Sequence, residues 1–510
     1  MIFLLAILIL SCLTPPAAVC AGKPALAEGD FIWHWHKQSH PGKDEILKLS
    51  ELGFSGIFMH AGTFSFYGNK PRYDGFNYKS GTFEDLKAVN SMQFHLVYTF
   101  SGSPDFNFMA YFNGNTGEAV EFILQKIESD LRVYGHYGIN VSGIQFDMEG
   151  RQLRPSSYKK LIDAAAGRFG NDRLISITPQ VYLSVSRGFS RLVENADFFV
   201  PMLYDYATGK TSRHRLKVTD INWIRYTAKK YRETGKPFYL GIPSYGYSKL
   251  YDEKGRLLDA WPKLSVEKLS ENPDFRLVKS RKNIIDGTKK TNYDNVYFFR
   301  AVRDTTLSNY RLRKGASVKF DVMTPESVME YLKAAKSTRG KYFLGTALFR
   351  YGYSDEELMM NTDQLGGIYG KQALPETLPE TDIIYAGGQT LSEGDIIGVN
   401  LLLKNTGGQA SFTSDDANRL YLELENGGIP GADRGGFDIM ENRINTLTAF
   451  EKHLHKNEAV ISGTVRIRIT GFPLKLTLRA VSRQLDGKTL RESGKKTLSV
   501  FPERHEVSGH

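Results

Sequence analysis

Between residues 31 and 370, short apolar runs rich in β-branched and aromatic residues alternate with longer stretches of helical period. That alternation predicts parallel strands covered by helices. Eight runs read as strands: FIWHWH from Phe31, GIFMHAG from Gly56, FHLVYTF from Phe94, VSGIQFDME from Val141, LISITPQV from Leu174, FFVPMLYD from Phe198, FYLGIPSYG from Phe238 and YFLGTALF from Tyr342. Between them the period becomes helical, most clearly in GEAVEFILQKIESDLRVYG from Gly117, where Val120, Ile123, Leu124, Ile127 and Leu131 follow the i, i+3, i+4 rule. Eight such units in succession predict a (β/α)8 barrel over residues 28–373.

The rhythm breaks at about residues 251–321, too long for a loop, with strand-like runs of its own in VYFFRAV and SVKFDVM. This predicts an inserted α+β lobe after strand seven. A Pro- and Glu-rich stretch at 374–379 reads as a linker. Beyond it strict alternation takes over, at Val399, Leu401 and Leu403 before a turn at Asn405-Thr406-Gly407-Gly408, then at Val465, Ile467 and Ile469, then at Leu474, Leu476 and Leu478. That pattern predicts a β-sandwich accessory domain over 380–505.

Composition narrows the class. With 41% apolar and 24% charged residues the chain has the usage of a folded globular protein. The net charge of +10 is scattered, without a basic run or a helical recognition motif, so nucleic acid is not an expected partner. The only cysteines, Cys12 and Cys20, lie in the N-terminal segment, which excludes disulfides and thiolate zinc sites from the folded body. That segment carries an apolar run from Ile2 to Leu13, shorter than the roughly 20 residues of a spanning helix, and reads as a secretory signal over 1–21. Ile9-Leu10-Ser11-Cys12 resembles a bacterial lipoprotein box, leaving a lipid anchor or the positive charge as routes to envelope association. No later stretch is apolar enough to span a membrane, and the expected location is secreted or periplasmic.

The most informative string is SGIQFDMEG, from Ser142. Read as a strand, it places Gln145, Asp147 and Glu149 on one face and Ile144, Phe146 and Met148 on the other. The apolar set packs under helices, so the polar set faces the barrel axis, at the end where barrel enzymes build their sites. Crowding and partial burial there would raise one carboxyl pKa, as a general acid near neutral pH requires.

Here the sequence resembles the family 18 glycoside hydrolases, the chitinases and endo-β-N-acetylglucosaminidases, whose fourth-strand motif is DGxDxDxE. Gly143, Asp147 and Glu149 match, while Ser142 and Gln145 replace the first and middle Asp. PMLYDYATG from Pro201 is similar to the sixth-strand MxYD element, with Met202, Tyr204 and Asp205. LGIPSYGYS from Leu240 is similar to the seventh-strand LGxPxYGxS, with Tyr245. The stretch from Phe320 through YFLGTALFRYGYSDEE is similar to the terminal helix, eighth strand and acidic tail.

The resemblance implies Glu149 as the general acid and Asp147 as the residue orienting the substrate's 2-acetamido group, whose carbonyl oxygen attacks the anomeric carbon. It implies that Tyr204 hydrogen-bonds that group and helps hold the cyclic intermediate, and that Asp205 binds the sugar or steadies the centre. Gln145 would lose any proton relay to Asp147, leaving that acid ionised at lower pH than in relatives with the intact motif. Phe349 stands where the family usually has a Trp, and Arg350 follows it, which suggests a modified or anionic glycan, or lost activity. Trp33, on strand one, and His60, which reads first as a hydrogen-bonded barrel histidine and otherwise as a residue that could meet an anionic sugar group, complete the substrate-binding candidates.

Trp33-His34-Trp35-His36 sets two histidines on one face, as metal amidohydrolases do, but LISITPQV and FFVPMLYD lack the further histidines, so no metal site is expected. Without a phosphate loop or nucleophile elbow, no cofactor is expected either. The reading is a hydrolase of β-linked N-acetylglucosamine-type glycans. Its alternative is a non-catalytic glycan-binding or envelope-assembly protein on the same barrel.

Overall fold

The computed structural model describes residues 22–502 apart from 36–39, 76–79, 103–105, 151, 261, 265, 267–268, 270–271, 279–295, 353–355, 357, 371–375, 386–389, 409–410, 412–415, 455–456 and 485–488. The N-terminal segment read as a secretory signal and His36 therefore lie outside the described residues. The chain divides into two compact units, one of Met1–Met202, Thr227–Gly241 and Thr338–Ala347, the other of Leu203–Tyr226, Ile242–Ser337 and Leu348–His510. Among the described residues no helix is long and apolar enough to cross a membrane.

The eight predicted strands form one closed sheet. They are β1 (Asp30–His34), β2 (Phe54–Tyr67), β3 (Gln93–Phe100), β4 (Gly143–Asp147), β5 (Leu174–Ile177), β6 (Phe198–Phe199), β7 (Phe238–Pro243) and β8 (Phe343–Phe349). Each pairs with its neighbour in sequence, and β1 pairs both β2 and β8 to close the ring. The structure is thus a (β/α)8 barrel. Helix Thr116–His136 shows why the periodicity was legible: Val120, Ile123, Leu124 and Ile127 are buried, and Tyr134 continues the stripe. Asp130, also buried on that helix, accepts hydrogen bonds from the Tyr73 and Tyr98 hydroxyls, which satisfies a carboxylate that burial would otherwise penalise.

The barrel axis is filled with rings. Phe31 stacks on Phe58 at 4.9 Å, and His95 meets Phe31, Phe58 and Phe198 edge-on at 5.7, 5.3 and 5.6 Å. Burial pushes the His95 imidazole down to about 3, so it is neutral at physiological pH. Gly143, the glycine of the acidic motif, lies opposite His95 in register, and a Cβ there would stand 2.2 Å from the His95 Nδ1. Ser142, in place of the motif's first Asp, accepts from the Phe94 backbone N–H through its hydroxyl and so joins β4 to β3.

In the second unit a five-stranded antiparallel sheet runs Leu257–Asp259, Tyr247–Tyr251, Ser317–Asp321, Val296–Ala301, Phe275–Leu277. It encloses Leu250, Phe299, Val318 and Phe320. This lobe begins at Tyr247, earlier than the break near Tyr251 predicts, because Tyr247–Tyr251 pairs residue by residue with Ser317–Asp321.

The C-terminal residues form two antiparallel sheets around one core. Pro379–Tyr385, Ile396–Asn405, Val465–Ile469 and Gly427–Ala432 make the first, with Ala459–Ile461 also on Ile396–Asn405. Ile439–Asn442, Thr446–Glu451, Asn418–Glu425 and Leu474–Arg483 make the second, with two further strands on Leu474–Arg483. Val399, Leu401 and Leu403 from one sheet meet Leu420, Leu422 and Leu476 from the other, the arrangement of a β-sandwich. At the predicted turn the Asn405 side chain accepts from the Gly407 N–H, closing the bend locally. The buried hydroxyl of Tyr297, in the lobe, donates to Glu458 of the sandwich at 3.2 Å.

Candidate active site

The predicted site residues fall into two groups, one in each unit. In the first, Gln145, Asp147 and Glu149 occupy different environments. The reading of a strand from Val141 through Glu149 is corrected: β4 ends at Asp147. Its partner β5 stops at Ile177, and Pro179, which has no N–H to donate, follows shortly after. The period of two therefore holds for Gln145 and Asp147, while Glu149 sits in the loop beyond and is exposed.

Gln145 is fully buried. Its Oε1 accepts from Trp33 Nε1 at 3.0 Å, and its Nε2 donates to Ser176 Oγ at 3.3 Å. An amide suits this position because it both accepts and donates without charge, which a buried carboxylate cannot do. Trp33, equally buried, thus tightens β1 against β4 and does not present its ring to solvent.

Asp147, half-buried at the end of β4, accepts from the Thr178 hydroxyl at 2.5 Å. Burial pushes its carboxyl up to about 6, with the Thr178 hydrogen bond acting in the opposite direction. Without a carboxylate at position 145, burial by itself still holds the Asp147 carboxyl above the ordinary aspartate range. The buried phenol of Tyr158, on helix Pro155–Phe169, is raised well above its usual value, first by burial and then by the Asp147 charge. Thr178 and Tyr158 were not singled out in the sequence, since neither belongs to a motif.

His60 is a bonded barrel residue: its Nε2 lies 3.1 Å from Thr99 Oγ1 and 3.3 Å from Thr63 Oγ1, and its ring packs on Trp35 at 4.7 Å. Met202 is buried, and its backbone bridges to Gln180 and Gly241. His34 is buried too, and among the described residues no group of three or more His, Cys, Asp or Glu side chains could hold a metal ion.

The second group is aromatic. Tyr204 stacks on Phe349 at 5.3 Å and 27°, and Tyr245 meets both edge-on, at 5.9 and 5.8 Å. The Tyr245 hydroxyl donates to Asp205 at 3.4 Å. Asp205 takes a left-handed φ of 62° and is exposed as a residue. The bulk of protein beside its carboxyl still raises the pKa, against the opposing pull of Lys249 and Tyr245. Burial likewise lowers the Lys249 amine, whose Nζ donates to the Thr208 carbonyl.

Arg350 forms a two-pronged pair with Glu356, at 2.8 and 3.1 Å. Its charge is met within the chain, which removes the argument from Arg350 to an anionic glycan. Glu356 was visible only as part of an acidic tail; nothing in its spacing marked it as the partner of Arg350.

No family model matches this sequence, and no curated protein matches it. Among solved structures the chain is similar to the spore cortex-lytic enzyme SleL of Bacillus megaterium, at 14% identity and a TM-score of 0.42, covering 71% of this chain and 76% of that one. It is similar to a chitinase of Chromobacterium violaceum, at 14% identity and a TM-score of 0.42, covering 68% and 98%. It is also similar to a class V chitinase of Pseudomonas fluorescens, at 10% identity and a TM-score of 0.43, covering 68% and 99%. Likenesses at this level bear on neither substrate nor activity.

Proposed function

We propose that the protein is a secreted or periplasmic glycoside hydrolase that cuts β-linked N-acetylglucosamine-type glycans by substrate-assisted retention. The observation that carries this reading is the end of β4, where a half-buried carboxyl held by Thr178 and raised to about 6 is followed two residues later by an exposed one. Carboxyl groups at the C-terminal end of a barrel strand are placed for chemistry, and the family resemblance assigns proton transfer to the exposed Glu149 and substrate holding to Asp147.

In this mechanism the acetamido carbonyl oxygen of the substrate attacks the anomeric carbon while the bond to the leaving oxygen breaks and Glu149 gives that oxygen its proton. Asp147 holds the acetamido N–H and balances the charge of the cyclic intermediate. Water then opens the ring, returning its proton to Glu149. The roles that the family resemblance implies for Tyr204 and Asp205 are tested separately, by Tyr204→Phe and Asp205→Asn. Residues 380–505 are read as an accessory domain.

The test is to digest peptidoglycan, N-acetylglucosamine oligomers, their fully de-acetylated counterparts and N-glycans, with products read by mass and first-formed anomers by proton NMR. A retained anomer, inhibition by a thiazoline mimic and no turnover of de-acetylated chains are expected. An inverted anomer, or cleavage of the de-acetylated oligomer, overturns substrate assistance.

A further inference from the structure

We propose that the end of the barrel at which its strands begin, through Lys229, Lys230, Arg232, Arg339 and Lys341, docks on an anionic phospholipid surface and turns the Glu149 end away from it. This goes beyond the hydrolase reading and does not depend on it. In a (β/α)8 barrel the helices run back against the strands, so helix C-termini and strand beginnings share one end. Asp147 and Glu149 lie at the other.

Two segments meet at this end. Residues 227–241, the last turns of helix Ile221–Arg232 and the way into β7, hold Lys229, Lys230, Arg232 and Lys236 against one acid, Glu233. Residues 338–347, which lead into β8, hold Arg339 and Lys341 and no acid. The Phe238 N–H donates to the Tyr342 carbonyl at 2.9 Å, and a Cβ on Gly340 would stand 3.1 Å from Arg232 Cδ, so the two sets of cations adjoin. All but Lys236 are exposed; the half-buried Lys236 donates from Nζ to the Ala196 carbonyl at 3.3 Å.

Acids nearby are engaged elsewhere or at a distance. Asp197 pairs with Lys23 at 2.7 Å, Glu194 with Lys159 at 3.3 Å and Glu233 with Lys230 at 3.9 Å. The helix dipole favours cations in the last turn of Ile221–Arg232, which accounts for Lys229, Lys230 and Arg232. It does not account for Arg339 and Lys341, which lie beyond the end of helix Pro325–Lys336. Exposed like charges gathered on one face repel one another, and a surface of opposite charge removes that cost.

The N-terminal segment enters the fold at the same end. Lys23 pairs with Asp197, directly before β6; the Tyr239 hydroxyl donates to the Ala27 carbonyl; and the Gly29 N–H donates to the Leu344 carbonyl at 2.9 Å. Eleven residues lead from Cys12 of the lipoprotein-like box to Lys23, a reach of at most roughly 40 Å. A bilayer that holds the apolar run, or a lipid on Cys12, therefore lies nearest the cationic end. One acyl chain binds a membrane only marginally, and a basic patch beside it supplies the second attachment. This proximity favours phospholipid over soluble phosphate as the occupant, and it leaves the acid end open to glycan outside the membrane.

The experiment uses the full chain in flotation with vesicles of phosphatidylcholine alone or mixed with phosphatidylglycerol. The apolar segment contributes to both, so the ratio of the two affinities reads the cationic face. The parent should prefer the anionic vesicles by about 100-fold, and the preference should shrink as salt is added. At about fivefold per cation, Lys229→Gln with Arg339→Gln should cut the preference about 20-fold. The same charge change at the opposite end, Lys70→Gln with Arg72→Gln on the strand that makes an antiparallel ribbon with β2, should leave it within about twofold. Unchanged thermal unfolding of each variant confirms that the fold is intact. No preference in the parent, or an equal loss in both double variants, overturns the docking face. Capture by soluble polyphosphate without capture by the anionic vesicles overturns phospholipid as the occupant.

Discussion

The barrel and the C-terminal sandwich fill their interiors with different materials. The sandwich core is largely Leu, Ile and Val, pressed between two faces whose outward residues are polar or half-exposed. The barrel axis holds Phe31, Trp33, Phe58, His95 and Phe198, with Gln145 and Ser176 buried among them. A polar residue in the alternation of the sandwich strands usually reaches water and needs no partner. A polar residue on a barrel strand is enclosed, and must be bonded, neutral or shifted in pKa. Chemistry is therefore to be sought in the barrel's polar exceptions.

The largest expected effect is on rate. Glu149→Gln should lower hydrolysis by about 10² to 10⁴ while leaving the unfolding transition in place, because it removes only the transferable proton. Turnover within tenfold of the parent would reassign the acid. The sandwich should behave in the opposite way. Leu422→Ala, in a fully buried position between the two sheets, should cost about 2–5 kcal/mol in urea unfolding with no change in specific activity below the transition. A large loss of activity at full folding would show that the sandwich takes part in the reaction.

Asp147 gives a pH test. Below about pH 3 its carboxyl is protonated in both the folded and the unfolded chain. As pH rises toward about 6 the unfolded carboxyl ionises first, so the folded state loses stability over that window and the loss levels off above it. Relative to Asp147→Asn, which has no proton to release, the parent should lose about 2 kcal/mol between pH 4 and pH 7. A difference between the two that does not vary with pH would mean that Asp147 titrates as an ordinary carboxyl. The smallest effect contrasts two glycines. Gly143→Ala drives a methyl against the His95 ring and the Leu174 carbonyl and should destabilise by about 1–3 kcal/mol. Gly398→Ala, on an exposed sandwich position where only the Thr464 methyl is near, should stay within about 0.5 kcal/mol. Equal melting shifts would show that the approach of the His95 ring and the Leu174 carbonyl does not restrict position 143.

Much of this architecture was legible. The sandwich strands could be read because one buried face produces strict alternation, as along Leu474–Arg483. The barrel strands could be read as short apolar runs, and Asp147 and Glu149 as acids out of place within one. Other features were hidden. The ribbon strand Lys70–Gly75 is polar at alternate positions and looks like a loop. The end of β4 at Asp147 depends on where β5 stops. The pairing of Arg350 with Glu356, and the bond from Trp33 to Gln145 across 112 positions, leave no local trace.

By itself the sequence determined the succession of the eight barrel strands, the aliphatic core of the sandwich and the candidate acids, because periodicity and chemical type are properties of neighbouring residues. Only the tertiary structure decided that Gln145 is a bonded core residue, that Arg350 is neutralised, that the Asp147 carboxyl is raised and that Glu149 stands exposed in a loop. Burial and partner choice set those states, and both depend on which distant strands close around a side chain.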